Sequence, residues 1–83
     1  FNLTQVLRMI ILGNNDEKAI GNGAWSYKTT GSLDLQWSIN GEAFTTISTM
    51  SLTGVKDGII DIGGCRLKAI NASTNTITLT QIS

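Results

Sequence analysis

Eighty-three residues make one domain at most, and a domain of this size buries only roughly 60–65% of the surface its unfolded chain exposes. Six basic and six acidic residues cancel, charged residues are 14% of the chain and 41% is hydrophobic, which argues against disorder and against a nucleic-acid binder, whose basic face must neutralise phosphates. Histidine is absent and Cys65 is the single cysteine, so no internal disulfide forms and a lone thiol among scattered carboxylates makes no zinc site. With both of those supports excluded, oligomerisation or docking onto a larger body is the expected stabiliser.

The N-terminal segment, residues 1–12, reads two ways. Leu3, Val6, Leu7, Ile10 and Ile11 fit the i, i+3, i+4, i+7 template of a helix, with Arg8 on the other face. Val6, Ile10 and Ile11 are β-branched, however, and Leu7, Met9 and Ile11 alternate as a strand would. Strand is the favoured reading, either pairing within its own sheet or reaching out as an apolar arm. The longest apolar run, Met9-Ile10-Ile11-Leu12, is far too short to span a membrane. Arg8 interrupts the segment and no small-residue cleavage site follows, so no signal peptide is expected.

Beyond it, residues 13–83 read as a single β domain. Gly13-Asn14-Asn15-Asp16 is a turn, and Gly21-Asn22-Gly23 precedes a run over 24–30 in which Trp25, Tyr27 and Thr29 share one face. Residues 33–39 alternate cleanly, Leu33, Leu35, Trp37 and Ile39 against Asp34, Gln36 and Ser38, the pattern of a half-buried strand. Asn40-Gly41 is the strongest short-range hairpin signal, because a type I′ turn needs positive φ at both central residues. It returns the chain into 42–48, with Phe44 and Ile47 expected in the core. A further strand over 50–56 holds Leu52 and Val55, and Asp57-Gly58 is a second hairpin-type pair. Residues 59–62 form a short apolar strand, and Gly63-Gly64 marks a bend. Cys65, Leu67 and Ala69 then face one way and Arg66 and Lys68 the other. A polar loop over 71–75 leads to the closing strand, with Ile77 and Leu79 inward. Seven to eight strands at this spacing predict a small antiparallel β-sandwich or a jelly-roll-like barrel.

Catalytic machinery is not evident. Without histidine the commonest general base is missing, and the six carboxylates fall at predicted turns or on wet strand faces. Asp57 and Asp61 flank a short segment, but no calcium-loop ladder accompanies them. The glycines sit at turns and form no phosphate loop. No enzyme, metal or cofactor is expected. Trp25, Tyr27, Trp37 and Phe44 are either core or the stacking platform of a sugar site. Trp37 alternates with aliphatics and is assigned to the core; Trp25 and Tyr27, whose strand has fewer aliphatic companions, are also read first as core, with a candidate ligand platform as their alternative.

The order of these landmarks resembles a group of small β-rich structural proteins in the virions of tailed bacteriophages. The matching pieces are Gly23-Ala24-Trp25-Ser26-Tyr27, Gly31-Ser32-Leu33-Asp34-Leu35-Gln36-Trp37-Ser38, the Asn40-Gly41-Glu42-Ala43-Phe44 turn, Gly63-Gly64-Cys65-Arg66-Leu67-Lys68-Ala69, and the Thr-rich closing strand. The resemblance covers residues 21–83. It implies a non-enzymatic virion component on the capsid surface, assembled in the host cytoplasm. The leading expectation is a capsid decoration (cement) protein, a homo-oligomer (a trimer by the group's habit) that binds major capsid protein subunits; if the N-terminal segment is a docking arm and does not pair within its own sheet, Leu3, Val6, Leu7, Ile10 and Ile11 are the candidate interface. A tail or head-fibre module, or a carbohydrate-binding sandwich for host recognition, is the alternative. The Asp-box of sialidase propellers is set aside, because Ser38-Ile39-Asn40-Gly41 places Gly one residue early and the motif occurs once.

Overall fold

A computed structural model of the chain describes residues 9–82. Eight strands and no helix make up these residues: β1 (Met9–Leu12), β2 (Glu17–Ile20), β3 (Gly23–Thr29), β4 (Leu33–Ser38), β5 (Thr45–Leu52), β6 (Asp57–Ile62), β7 (Cys65–Ile70) and β8 (Ile77–Gln81). They form two four-stranded antiparallel sheets, ordered β1-β8-β3-β6 and β2-β7-β4-β5. The pairings nest, β1 with β8, β2 with β7, β3 with β6 and β4 with β5. A long hairpin rolled into two layers gives this connectivity, the eight-stranded jelly roll. The β-sandwich expectation is met. The favoured strand reading also holds for residues 9–12, which pair within their own sheet; Leu3, Val6 and Leu7 lie outside the described residues.

Alternation explains the layers. Trp25 and Thr29 of β3, Leu33 and Leu35 of β4, Leu67 and Ala69 of β7, and Ile77 and Leu79 of β8 all point between the sheets and are buried. Six of the seven connections cross from one sheet to the other. Hydrogen bonds seat them: Asn15 N–H donates to Ala69 C=O at 2.7 Å, and Ala72 N–H donates to Asn14 Oδ1 at 3.0 Å. The buried Thr29 hydroxyl accepts from Lys56 N–H at 2.9 Å, so the crossover into β6 is tied to the end of β3.

Four sequence expectations are corrected. Strand β2 lies in residues that the turn signals on either side had left unassigned. Residues 42–48 and 50–56 are not two strands; β5 runs through both, and Val55 is exposed in the loop after it. Asp57-Gly58 is not a turn but the start of β6, where Gly58 lies opposite Tyr27. A Cβ on Gly58 would fall 2.8–3.1 Å from the Tyr27 ring and hydroxyl, so this glycine provides space for an aromatic on the neighbouring strand.

The fourth correction concerns Phe44. Asn40 and Gly41 do take φ of 56° and 77°, and Glu42 N–H donates to Ile39 C=O at 3.2 Å, as a type I′ turn requires. A tight two-residue hairpin would then set Phe44 opposite Trp37. Instead Trp37 pairs with Thr45, because one extra residue is accommodated after the turn. With a side-chain period of two, a one-residue slip reverses the face. Phe44 therefore leaves the core and sits, half-buried, with Lys68 Nζ 5.4 Å from its ring centre. A second irregularity between Asp34 and Gln36 restores both Ile47 and Met50 to the core from the same strand.

Candidate functional site

The two outer faces of the sandwich differ in chemistry. On the second sheet, the outward residues of β2 and β7 include Glu17, Arg66 and Lys68. Glu17 is 3.0 Å from Arg66 Nε and 4.0 Å from Lys68 Nζ. Beside them the Asp34 carboxylate accepts from Ser51 Oγ at 2.8 Å and from Asn71 Nδ2 at 2.9 Å. This is a charged, internally hydrogen-bonded face.

The first sheet presents the opposite. Its strand registers align Met9, Thr80, Ser26 and Ile59 in one row across β1, β8, β3 and β6. At adjacent-strand spacing the row spans about 14 Å. Next to it run Ile11, Thr78, Lys28 and Asp57. On the far side Ile82, whose N–H donates to Ala24 C=O at 2.8 Å, continues the outward positions of β8. Met9, Ile11, Ile59 and Ile82 are 56, 58, 67 and 52% exposed. Met9, Ile11 and Ile82 lie toward the β1–β8 side among hydroxyl residues, while Ile59 lies at the β6 edge between Asp57 and Asp61; together they are the candidate interaction surface of this sheet.

Fully burying such a side chain contributes about 1.5–3 kcal/mol, so the half still exposed on these four amounts to about 3–6 kcal/mol. Association costs an estimated 4–15 kcal/mol in lost freedom. One face against one partner is thus a weak contact. Only repetition or added contacts would make it firm.

The residues singled out from sequence are dispersed by the fold. Ile10 and Ile11 are adjacent on β1, Ile10 packed against the core and Ile11 outward. Trp25 is only 2% exposed, and Tyr27 is half-buried against the core beside Gly58. The core reading of Trp25 therefore holds, and a ring this buried offers no open face for stacking on a sugar; the alternative platform of Trp25 with Tyr27 lacks its larger ring. Among the described residues the buried Trp25 Nε1 has no hydrogen-bond partner; burial of the large ring outweighs the ~1–3 kcal/mol that an unmade donor costs. Asp57 and Asp61 point outward four residues apart on β6, about 13 Å at strand rise, so they do not converge on one ion. Among the described residues no cluster of three or more His, Cys, Asp or Glu is placed to hold a metal. Cys65 is half-buried on the core edge, and desolvation pushes its thiol pKa up, which keeps the sulfur protonated at neutral pH.

Sequence reasoning passed over Met9, Ile59 and Ile82. A signal for the first two was present. Met9-Ile10-Ile11-Leu12 and Ile59-Ile60 are unbroken apolar runs, and in a strand of a two-layer sandwich every second residue of such a run must face outward.

Family models, curated proteins and solved structures were each compared with this chain, and none matches it.

Proposed function

We propose that the protein is a non-enzymatic structural protein of a tailed-bacteriophage virion, a capsid decoration (cement) protein that stabilises the head shell by binding major capsid protein subunits. The observation that carries this reading is the segregation of the two faces, with Met9, Ile11, Ile59 and Ile82 exposed together on the first sheet and the ion pairs on the second. Depletion of charge and enrichment in apolar side chains suit the centre of a lasting interface. The resemblance of residues 21–83 to small virion proteins supplies the kind of partner. A jelly roll by itself hosts many functions and adds only analogy.

The mechanism is burial repeated over a symmetric surface. Each copy docks weakly through its apolar face, and a homo-oligomer engages several shell subunits at once. Its second contact is then effectively intramolecular and avidity multiplies. Side chains that are already exposed contribute little to the fold, so the face can be altered without unfolding the domain. The test is occupancy of purified heads assembled without their decoration protein, measured by co-sedimentation. Ile59→Lys with Ile82→Lys should lower occupancy at least tenfold while thermal stability stays unchanged. Full occupancy by this variant, or no binding of the wild-type chain to any head, would overturn the reading. Binding to isolated tails or fibres instead would favour a tail or head-fibre module.

A further inference from the structure

The chain holds two Asn-Gly pairs, Asn22-Gly23 and Asn40-Gly41. A glycine after asparagine brings no Cβ to hinder its backbone nitrogen as it approaches the asparagine side chain. Both asparagines are exposed, so solvent reaches them alike. Hydrogen bonding separates them. The peptide between Asn22 and Gly23 is held at both ends. Its C=O accepts from Gln81 Nε2 at 3.0 Å. Its N–H, on Gly23, faces Ile62 of β6. Thr29 N–H donates to Lys56 C=O at 2.8 Å in the same register, and alternate residues of an antiparallel strand aim their N–H at the same neighbour. The Asn22 side chain is anchored too, its Oδ1 accepting from Gly64 N–H.

Asn40-Gly41 lacks all of these ties. Its peptide is the tip of the type I′ turn, which is closed by the Glu42 N–H to Ile39 C=O bond. Among the described residues, Asn40 C=O, the Asn40 side chain and Gly41 N–H have no hydrogen-bond partner. Space is open around Gly41. The tip plane can therefore rotate, bringing Gly41 N towards Asn40 Cγ, while the closing bond stays made.

We propose that Asn40 is a site of spontaneous deamidation, selected over Asn22 by the fold. Hydroxide takes the proton of Gly41 N–H, and the nitrogen attacks Asn40 Cγ. The N–Cγ bond forms, the Cγ–Nδ2 bond breaks, and the amide leaves as ammonia with a proton from water, regenerating hydroxide. Water then opens the five-membered imide. Attack at Cγ gives aspartate; attack at the backbone carbonyl gives isoaspartate, with the chain running through the former side chain. Nothing is oxidised or reduced. Either product adds a carboxylate at the turn, two residues from Glu42. Aspartate visits the left-handed region as asparagine does, so it keeps the turn, whereas isoaspartate adds a methylene to its backbone. This inference rests on the turn and its hydrogen bonds and stands apart from the phage reading.

Peptide mass spectrometry of the full chain, held folded at mildly alkaline pH, tests it. Conversion at Asn22 requires the ties of its peptide and side chain to open, so Asn40 should convert at least about tenfold faster. In concentrated urea those ties are gone and the two rates should come together. Equal rates in the folded chain, or faster conversion at Asn22, overturn the proposal. A preference for Asn40 that persists unchanged in urea also overturns it, by assigning the selectivity to local sequence and not to the fold. Gly41→Ala is a second reading: it should slow conversion at Asn40 and leave Asn22 unchanged, and an unaltered Asn40 rate counts against attack by this nitrogen. Loss of head binding would remove the proposed function and leave this inference standing.

Discussion

Gly58→Ala separates backbone propensity from packing at one position. Gly58 has an ordinary strand φ, so alanine meets no backbone strain there. By chain entropy alone the substitution should stabilise by about 0.4–1 kcal/mol. The new Cβ, however, would fall 2.8 Å from Tyr27 Oη, 3.0 Å from Cζ and 3.1 Å from Cε2. Tyr27 is packed against the core, so the ring has to tilt. Overpacking of this kind costs about 1–3 kcal/mol, and a displaced rotamer accounts for about 0.5–1.5 kcal/mol of that. The packing cost wins, for a net loss of about 1 kcal/mol and a melting temperature lower by about 4–8 °C. Circular dichroism melts and urea titrations read it directly. In a Tyr27→Ala background the clash partner is gone, and the same Gly58→Ala step should become neutral or stabilising; the cycle isolates the coupling. A higher melting temperature for Gly58→Ala in the wild-type background, or an equal loss in both backgrounds, would refute the reasoning.

Other substitutions follow the same logic. Phe44→Ala should cost about 1–2 kcal/mol, from half-burial of the ring and an exposed cation–π contact, where a core phenylalanine would cost about 3–5 kcal/mol; urea midpoints distinguish the two. Gly41→Ala and Gly54→Ala, at φ of 77° and 75° with open space around each, should each lose about 1–2 kcal/mol through the left-handed backbone alone. Gly21→Ala, with open space and no positive φ, should gain a few tenths of a kcal/mol in the same melts. Burial raises the Cys65 thiol pKa, so its neutral form favours the folded state. That contribution is fully present below the thiol's ordinary value and is lost as pH rises through the folded-state value. The stability difference between wild type and Cys65→Ala, followed by urea titration from pH 7 to 10, should therefore shift against the wild type at alkaline pH; a constant difference would contradict it.

Much of the fold was legible in the chain. The alternation of Leu33, Leu35 and Trp37 against Asp34 and Gln36, and of Leu67 and Ala69 against Arg66 and Lys68, assigns inner and outer faces because a strand repeats every two residues. Asn40-Gly41 marks its turn because few other residues tolerate positive φ. The interaction face was far less legible. Met9, Ile11 and Ile59 each neighbour another apolar residue, and local sequence does not say which of two neighbours turns inward.

What the sequence by itself determined is the class: short strands and polar turns that make a small sandwich. The tertiary structure alone decided the register, the nesting of eight strands, the outward turn of Phe44 and the gathering of Met9, Ile11, Ile59 and Ile82 on one face. The reason lies in the geometry of pairing. Alternation within a strand fixes its two faces only relative to each other, and a slip of one residue against the neighbouring strand exchanges them. Which face is covered depends on partners distant in sequence, as when β8 takes its place between β1 and β3.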